Sequence, residues 1–121
     1  MTFSPMRVAI VDDDDLVRAS TANLLRSAGL TPQTFTSAES FLETELGEYA
    51  CVISDLQMPG ITGLKLQEIL LRRASGLPII IVTAYPTEEF RTAAVNNGAI
   101  AFLGKPYDPD TLLELLNNLP Q

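Results

Sequence analysis

Pro78-Ile-Ile-Ile-Val-Thr83 is the stretch that most limits what this chain can become. Consecutive apolar and β-branched residues with no polar alternation cannot form a strand with one wet face. Both faces of such a strand must be covered, as they are in a parallel sheet with helices on either side. The run is expected near the middle of that sheet.

The rest of the chain repeats the unit such a sheet needs. Val8-Ala-Ile-Val11 is an apolar run that ends in Asp12-Asp-Asp-Asp15. From there Val17, Thr21, Leu24, Leu25 and Ala28 recur at helical spacing until Gly29. Gln33 to Thr36 reads as a short strand. Ser37 is an N-cap candidate for a helix through Phe41, Leu42 and Leu46 that stops near Gly47. Cys51 to Ser54 is a third strand, followed by a helix carrying Leu66, Ile69 and Leu70. After the Ile-rich strand, Thr87 caps a helix with Phe90, Ala93 and Ala94 facing inward, ended by Asn97-Gly98. Ile100 to Leu103 is the fifth strand, and Asp108-Pro109 opens a last helix striped with Leu112, Leu115, Leu116 and Leu119. Five strands alternating with five helices predict a doubly wound, mostly parallel α/β sheet with right-handed crossovers. Spacing does not give the strand order; 2-1-3-4-5 would gather the ends of strands 1, 3, 4 and 5 around a switch point. No linker or repeat interrupts the pattern, so residues 1–121 are expected to be one domain.

Charge and composition narrow the function. Fifteen acidic against eight basic residues give a net charge of −7, which argues against a nucleic-acid-binding surface and suits cations. The single Cys51 lies in an apolar run and allows no disulfide within the chain, which fits a reducing compartment. Residues 1–7 lack a signal-peptide core and no apolar stretch reaches membrane-spanning length, so a cytoplasmic location is expected. With no histidine, His triads, the usual zinc sites and a histidine relay within the chain are excluded.

Polar residues sit where four of the five strands end: Asp12 to Asp15, Asp55, Thr83 and Lys105. In an open α/β sheet these ends share one edge, where ligands bind. Asp55 lies in Val52-Ile-Ser-Asp-Leu-Gln-Met-Pro-Gly60, a strand delivering one carboxylate into a loop broken by Pro59-Gly60. Each residue alone has an ordinary reading: a turn aspartate for Asp55, a surface cation for Lys105, a β-branched strand residue for Thr83, and helix capping for one or two of the four aspartates. Together they describe carboxylates that need a cation among them. An oxygen-only ligand set selects a hard ion, Mg²⁺ or Mn²⁺. Beside such an ion Asp55 can act as a nucleophile toward phosphorus, with Lys105 neutralising charge and the Thr83 hydroxyl donating to a phosphoryl oxygen.

In those residues the whole chain resembles the response-regulator receiver domains of bacterial two-component signalling. The matching pieces are Ile10-Val-Asp-Asp-Asp14, Ile53-Ser-Asp-Leu-Gln-Met-Pro-Gly60, Gly63, Val82-Thr-Ala84 and Leu103-Gly-Lys-Pro106, in the family's order and spacing. The resemblance implies a flavodoxin-like sheet in the order 2-1-3-4-5. It makes Asp55 the phosphoacceptor and assigns Mg²⁺ to Asp13 directly, to Asp12 mainly through water, to Asp55 and to the backbone carbonyl of Gln57. It makes Thr83 and Lys105 the phosphoryl ligands and the Lys105–Pro106 bond cis. Thr83 and Phe102 become the switch pair, with Phe102 turning inward on phosphorylation and the helix 4–strand 5–helix 5 face as the output. Gln57 and Tyr85 fall at positions that vary in the family and tune hydrolysis of the acyl phosphate. The implied partners are a sensor histidine kinase acting in trans, a DNA-binding output domain of the LuxR-like type where the receiver is part of a longer protein, and a phosphorylation-induced second copy.

Three other readings fit the residues less well. Asp13-Asp-Asp-Leu-Val17 matches the nucleophile loop of a haloacid-dehalogenase-type phosphatase, but that leaves the Asp55 loop without a role and offers no second acidic motif after Lys105. A phosphorylation-independent interaction module on the same fold is disfavoured by the intact acidic pair, acceptor, threonine and lysine. An EF-hand lacks its loop glycine and terminal glutamate.

Overall fold

The computed structural model describes residues 6–73 and 75–119. The reading of residues 1–5 as lacking a targeting segment, like the outermost ends of the 1–121 domain, lies outside the described residues. The elements run β1 (Arg7–Val11), α1 (Asp15–Ser27), β2 (Thr31–Phe35), α2 (Ala38–Leu42), β3 (Cys51–Asp55), α3 (Gly63–Arg72), β4 (Ile79–Thr83), α4 (Glu88–Asn96), β5 (Ala101–Gly104) and α5 (Pro109–Asn117). All strand pairs are parallel, in the order β2-β1-β3-β4-β5.

Every residue of β3 and β4 is buried, as their unbroken apolar runs require. Alternate side chains of each strand enter separate cores. On one face Ala9, Val11, Val52, Ile79, Ile81 and Phe102 pack with Phe41 of α2, Leu66 and Leu70 of α3 and Ala94 of α4. On the other, Val8, Ile10, Cys51, Ile53, Ile80 and Val82 pack with Ala22 and Leu25 of α1 and Leu112 and Leu116 of α5. Cys51 is fully buried, and burial pushes its thiol up to about 12 against a weaker opposing hydrogen bond to Val52, so it acts as a small hydrophobe. Side-chain oxygens of Asp14, Ser37, Thr62, Thr87 and Asp108 cap the five helices.

Several boundaries depart from the sequence expectation; β3, for one, runs a residue further and ends on Asp55 itself. β2 begins at Thr31 and includes Pro32, which a sheet tolerates at an edge, where one side of the strand has no partner. β5 is shifted one residue to Ala101–Gly104. The helix expected from Ser37 through Leu46 ends at Leu42, and a 3₁₀ turn, Leu46–Glu48, follows. Thr44 terminates it: its hydroxyl donates to the Phe41 carbonyl (2.7 Å) and accepts from the Tyr49 hydroxyl (3.0 Å). Leu42 and Leu46 still reach the core, so the apolar pattern survives although the helix does not continue.

Gln67 joins α3 to α4. Its Nε2 donates to the Ala94 carbonyl (3.1 Å), while its buried Oε1 has no partner among the described residues. The Ala94 carbonyl also accepts from Ala99 N–H (3.0 Å), so it keeps a partner without the amide. Gln67→Met should therefore be at least as stable as the parent in urea unfolding, because an unpaired buried acceptor is removed at similar volume. Gln67→Ala should lose about 2 kcal/mol through the void it leaves. Destabilisation by Met as large as by Ala would show that the amide itself holds the two helices.

Candidate phosphoacceptor and metal site

Parallel strands present their carboxyl ends together, and register fixes the heights. Asp55 pairs with Val82 and Thr83 with Gly104, so the acceptor candidate, the hydroxyl and the residue before Lys105 lie within one step of each other. The loop after β3 closes tightly. Gly63 N–H donates to the Leu56 carbonyl (2.9 Å), and a Cβ on Gly63 would lie 2.6 Å from the Asp55 carbonyl and 3.0 Å from Leu56 Cα. Glycine at 63 is what lets α3 start directly behind the acid.

The four aspartates have separate tasks. Asp14 caps α1 by accepting from Leu16 and Val17 N–H. Asp15 pairs with Arg18, whose Nη1 donates to the Asp12 carbonyl (2.8 Å). Asp12 is buried, its Oδ1 accepting from Asp14 N–H (2.9 Å) and its Oδ2 from Lys105 Nζ (3.0 Å). Asp13 is exposed. Lys105 Nζ also lies 3.1 Å from Asp55 Oδ1, so one ammonium bridges Asp12 and Asp55.

Carboxylate oxygens of Asp12, Asp13 and Asp55 all lie within 4.8 Å of one another. Burial holds the Asp55 carboxyl above its ordinary value, the Asp12 charge adds to this, and Lys105 opposes both. Burial by itself would lower the Lys105 pKa, but its contacts with Asp12 and Asp55 outweigh burial and raise it. Lys105 is thus a firm cation, while the cluster still holds more negative charge than one ammonium neutralises. Three hard oxygens around such a space suit a divalent cation.

Thr83 is fully buried; its Oγ1 accepts from Tyr85 N–H (3.0 Å), and its carbonyl accepts from Lys105 N–H (2.7 Å). The Lys105–Pro106 bond is cis, as the resemblance implied. Gln57 is exposed in the loop two residues beyond Asp55, and Tyr85 is 63% exposed beyond Thr83. Phe102 differs from expectation: it is already inward, 4% exposed, with the Arg91 guanidinium carbon 5.1 Å from its ring centroid. That contact is a cation–π arrangement which covers the ring. Sequence reasoning missed Arg18 and Arg91. An Asp15-x-x-Arg18 spacing signals the first pair, but its bond to the Asp12 carbonyl exists only once the loop has folded.

The family model of the response regulator receiver domain matches residues 8–117. The chain is 40% identical over 117 residues to the transcriptional regulatory protein TdiR of Thauera aromatica, covering 96% of this chain and 52% of TdiR. It is 37% identical over 107 residues to the transcriptional regulatory protein FixJ of Azorhizobium caulinodans, covering 88% and 51%. Among solved structures, the response regulator StyR superposes with a TM-score of 0.88 at 38% identity, over 96% of this chain and 59% of that one. FixJ-N superposes at 0.85 and 28% identity, over 95% and 93%. The chain thus spans about half the length of the curated relatives it matches. The match runs from the first strand through the last helix and takes in the whole acidic edge of the sheet; the chain belongs to the receiver domains of two-component response regulators.

Proposed function

We propose that Asp55 accepts a phosphoryl group from a phosphohistidine of a sensor histidine kinase, and that this changes the α4–β5–α5 face to control an output. The observation that carries the reading is the single Lys105 ammonium held 3.0 Å from Asp12 and 3.1 Å from Asp55. Lys105 engages Asp55 Oδ1, which leaves Oδ2 to attack phosphorus. The O–P bond forms as the histidine N–P bond breaks, and the electron pair leaves with the imidazole. Because residues 1–121 contain no histidine, the donor histidine lies outside them, or the donor is a small acyl phosphate.

The donor set fits a hard divalent cation, and we assign Asp12, Asp13, Asp55 and the Gln57 carbonyl to holding Mg²⁺, with Mn²⁺ as substitute. When bound, the ion supplies neutralisation of the phosphoryl oxygens. Lys105 adds a second positive charge to the oxygens it can reach from its present place. Thr83 Oγ1 accepts from Tyr85 N–H, so its own proton is free to go to a phosphoryl oxygen, and with Phe102 it forms the switch. Catalysis is confined to the domain's own phosphorylation and dephosphorylation.

Residues 1–121 then act as one receiver in the cytoplasm; among the described residues no helix is long and apolar enough to cross a membrane. Two relatives are named as transcriptional regulators and are about twice as long as this chain, which supports a DNA-binding output domain as the element controlled. The acidic receiver itself would not touch nucleic acid. Pairing with a second copy on phosphorylation is part of the same reading.

Incubated with acetyl phosphate and Mg²⁺, the intact protein should gain the mass of one phosphoryl group, and Asp55→Asn should gain none. A phosphatase acting through Asp13 would be indifferent to that substitution. Mg²⁺ should raise the melting temperature of the parent, because binding to the folded state alone stabilises it. Asp13→Asn should lose most of that rise; an equal rise in both would remove Asp13 from the metal site. Tyr85, exposed at the rim, is proposed to shield phosphorus from water. Tyr85→Ala should shorten the life of the phosphorylated protein, and an unchanged decay rate would sink that role.

A further inference from the structure

Gly104 stands where a side chain would have no room. An ideal Cβ there would lie 2.9 Å from Pro86 Cγ and 3.2 Å from Pro86 Cβ. The backbone of Gly104 lies outside the left-handed region, so alanine would be accepted conformationally and would meet only the proline. Glycine weakens a strand and commonly marks a close approach by another segment. Here the approaching segment is the loop between β4 and α4.

That loop carries the switch chemistry. Thr83 ends β4 directly opposite Gly104 in the sheet, and Lys105 N–H donates to the Thr83 carbonyl. Tyr85 N–H donates to Thr83 Oγ1, Thr87 N–H donates to the Tyr85 carbonyl (2.8 Å), and Thr87 caps α4. Phe102, two residues before Gly104, shares its side of the sheet and lies inward beneath Arg91. The proline ring is rigid and part of the backbone, so it cannot swing aside alone; anything filling the space above Gly104 must move the loop.

We propose that Pro86 seated on Gly104 is a positioning pair that holds the β4–α4 loop down over Thr83, keeping its hydroxyl buried and bound to Tyr85 N–H until a phosphoryl group arrives. The inference rests on Asp55 being the phosphoacceptor and deepens that reading. It assigns Gly104 a task other than strand formation: the absent side chain sets how readily Thr83 is released. Without the seat the Thr83 hydroxyl is freer to reach a phosphoryl oxygen, and phosphorylation speeds up.

The test compares the parent, Gly104→Ala, Pro86→Ala and the double variant, each checked by thermal unfolding for a folded state. Two quantities are read: hydrogen exchange of the Tyr85 amide, and the rate of mass gain with acetyl phosphate and Mg²⁺. Gly104→Ala should raise both by about fivefold or more, the scale of a methyl forced into a packed contact. Pro86→Ala should also raise both, and adding Gly104→Ala to it should change neither further, because the ring the methyl would strike is gone. Unchanged exchange in Gly104→Ala, faster exchange without faster phosphorylation, slower phosphorylation, or an undiminished Gly104→Ala effect in the Pro86→Ala background would each overturn the inference. A parent that gains no mass overturns the Asp55 assignment and the inference with it. Should Gly104→Ala fail to fold, the Pro86→Ala comparison decides alone: both quantities rise, or the seat does not control Thr83.

Discussion

Negative charge packed against negative charge is the constraint on which this structure turns. Asp12, Asp13 and Asp55 bring oxygens within 4.8 Å of one another, and two of the three residues are buried. Two like charges about 4 Å apart repel by about 4 kcal/mol at an effective dielectric near 20. Lys105 offsets part of this by touching both buried carboxylates, but burial first and the Asp12 charge second still hold the Asp55 carboxyl above its usual value. A fold does not keep such a cluster for stability. It makes sense as a site that becomes more stable when positive charge enters.

The sheet makes the cluster possible. Parallel strands point the same way, so acids that are 43 positions apart in sequence, Asp12 and Asp55, emerge side by side from adjacent strands. Helices on both faces leave the strand ends as the place where polar groups reach solvent. The buried β3 and β4 give Asp55 and Thr83 rigid mounts, and the tight start of α3 at Gly63 keeps the loop behind Asp55 short. Precision at the site therefore comes from the core rather than from the loops.

Around this rigid centre the parts that can move are joined by few contacts. The β4–α4 loop donates one amide to the Thr83 hydroxyl, closes on itself through Thr87 N–H and the Tyr85 carbonyl, and passes close over Gly104 at Pro86. α4 carries a single fully buried side chain, Ala94, and receives one hydrogen bond from the Gln67 amide of α3. A segment so lightly packed has a low local stability and is where a conformational response would be drawn from. Phe102 lies inward in the core of the sheet face that α4 covers, with the Arg91 guanidinium over its ring.

Unbroken apolar runs such as Ile79 to Val82 were enough to specify a two-sided parallel sheet, and the acidic, Asp55, Thr83 and Lys105 segments were each recognisable at their strand ends. Periodicity could not place the end of α2, because Thr44 stops the helix through bonds to Phe41 and Tyr49 that a linear pattern does not contain. It also could not foresee Pro32 inside β2, whose acceptance depends on that strand lying at an edge. Nor could it say which of four successive aspartates caps a helix, which pairs with Arg18 and which face the site, since those tasks are divided only by where the chain turns. By itself the sequence determined the kind of sheet and the chemical groups at its ends, because burial pattern and residue type are local properties. Only the tertiary structure decided that one ammonium bridges two carboxylates, that Phe102 lies inward and that Pro86 sits on Gly104, because each is a distance between residues remote in the chain or held apart by a turn.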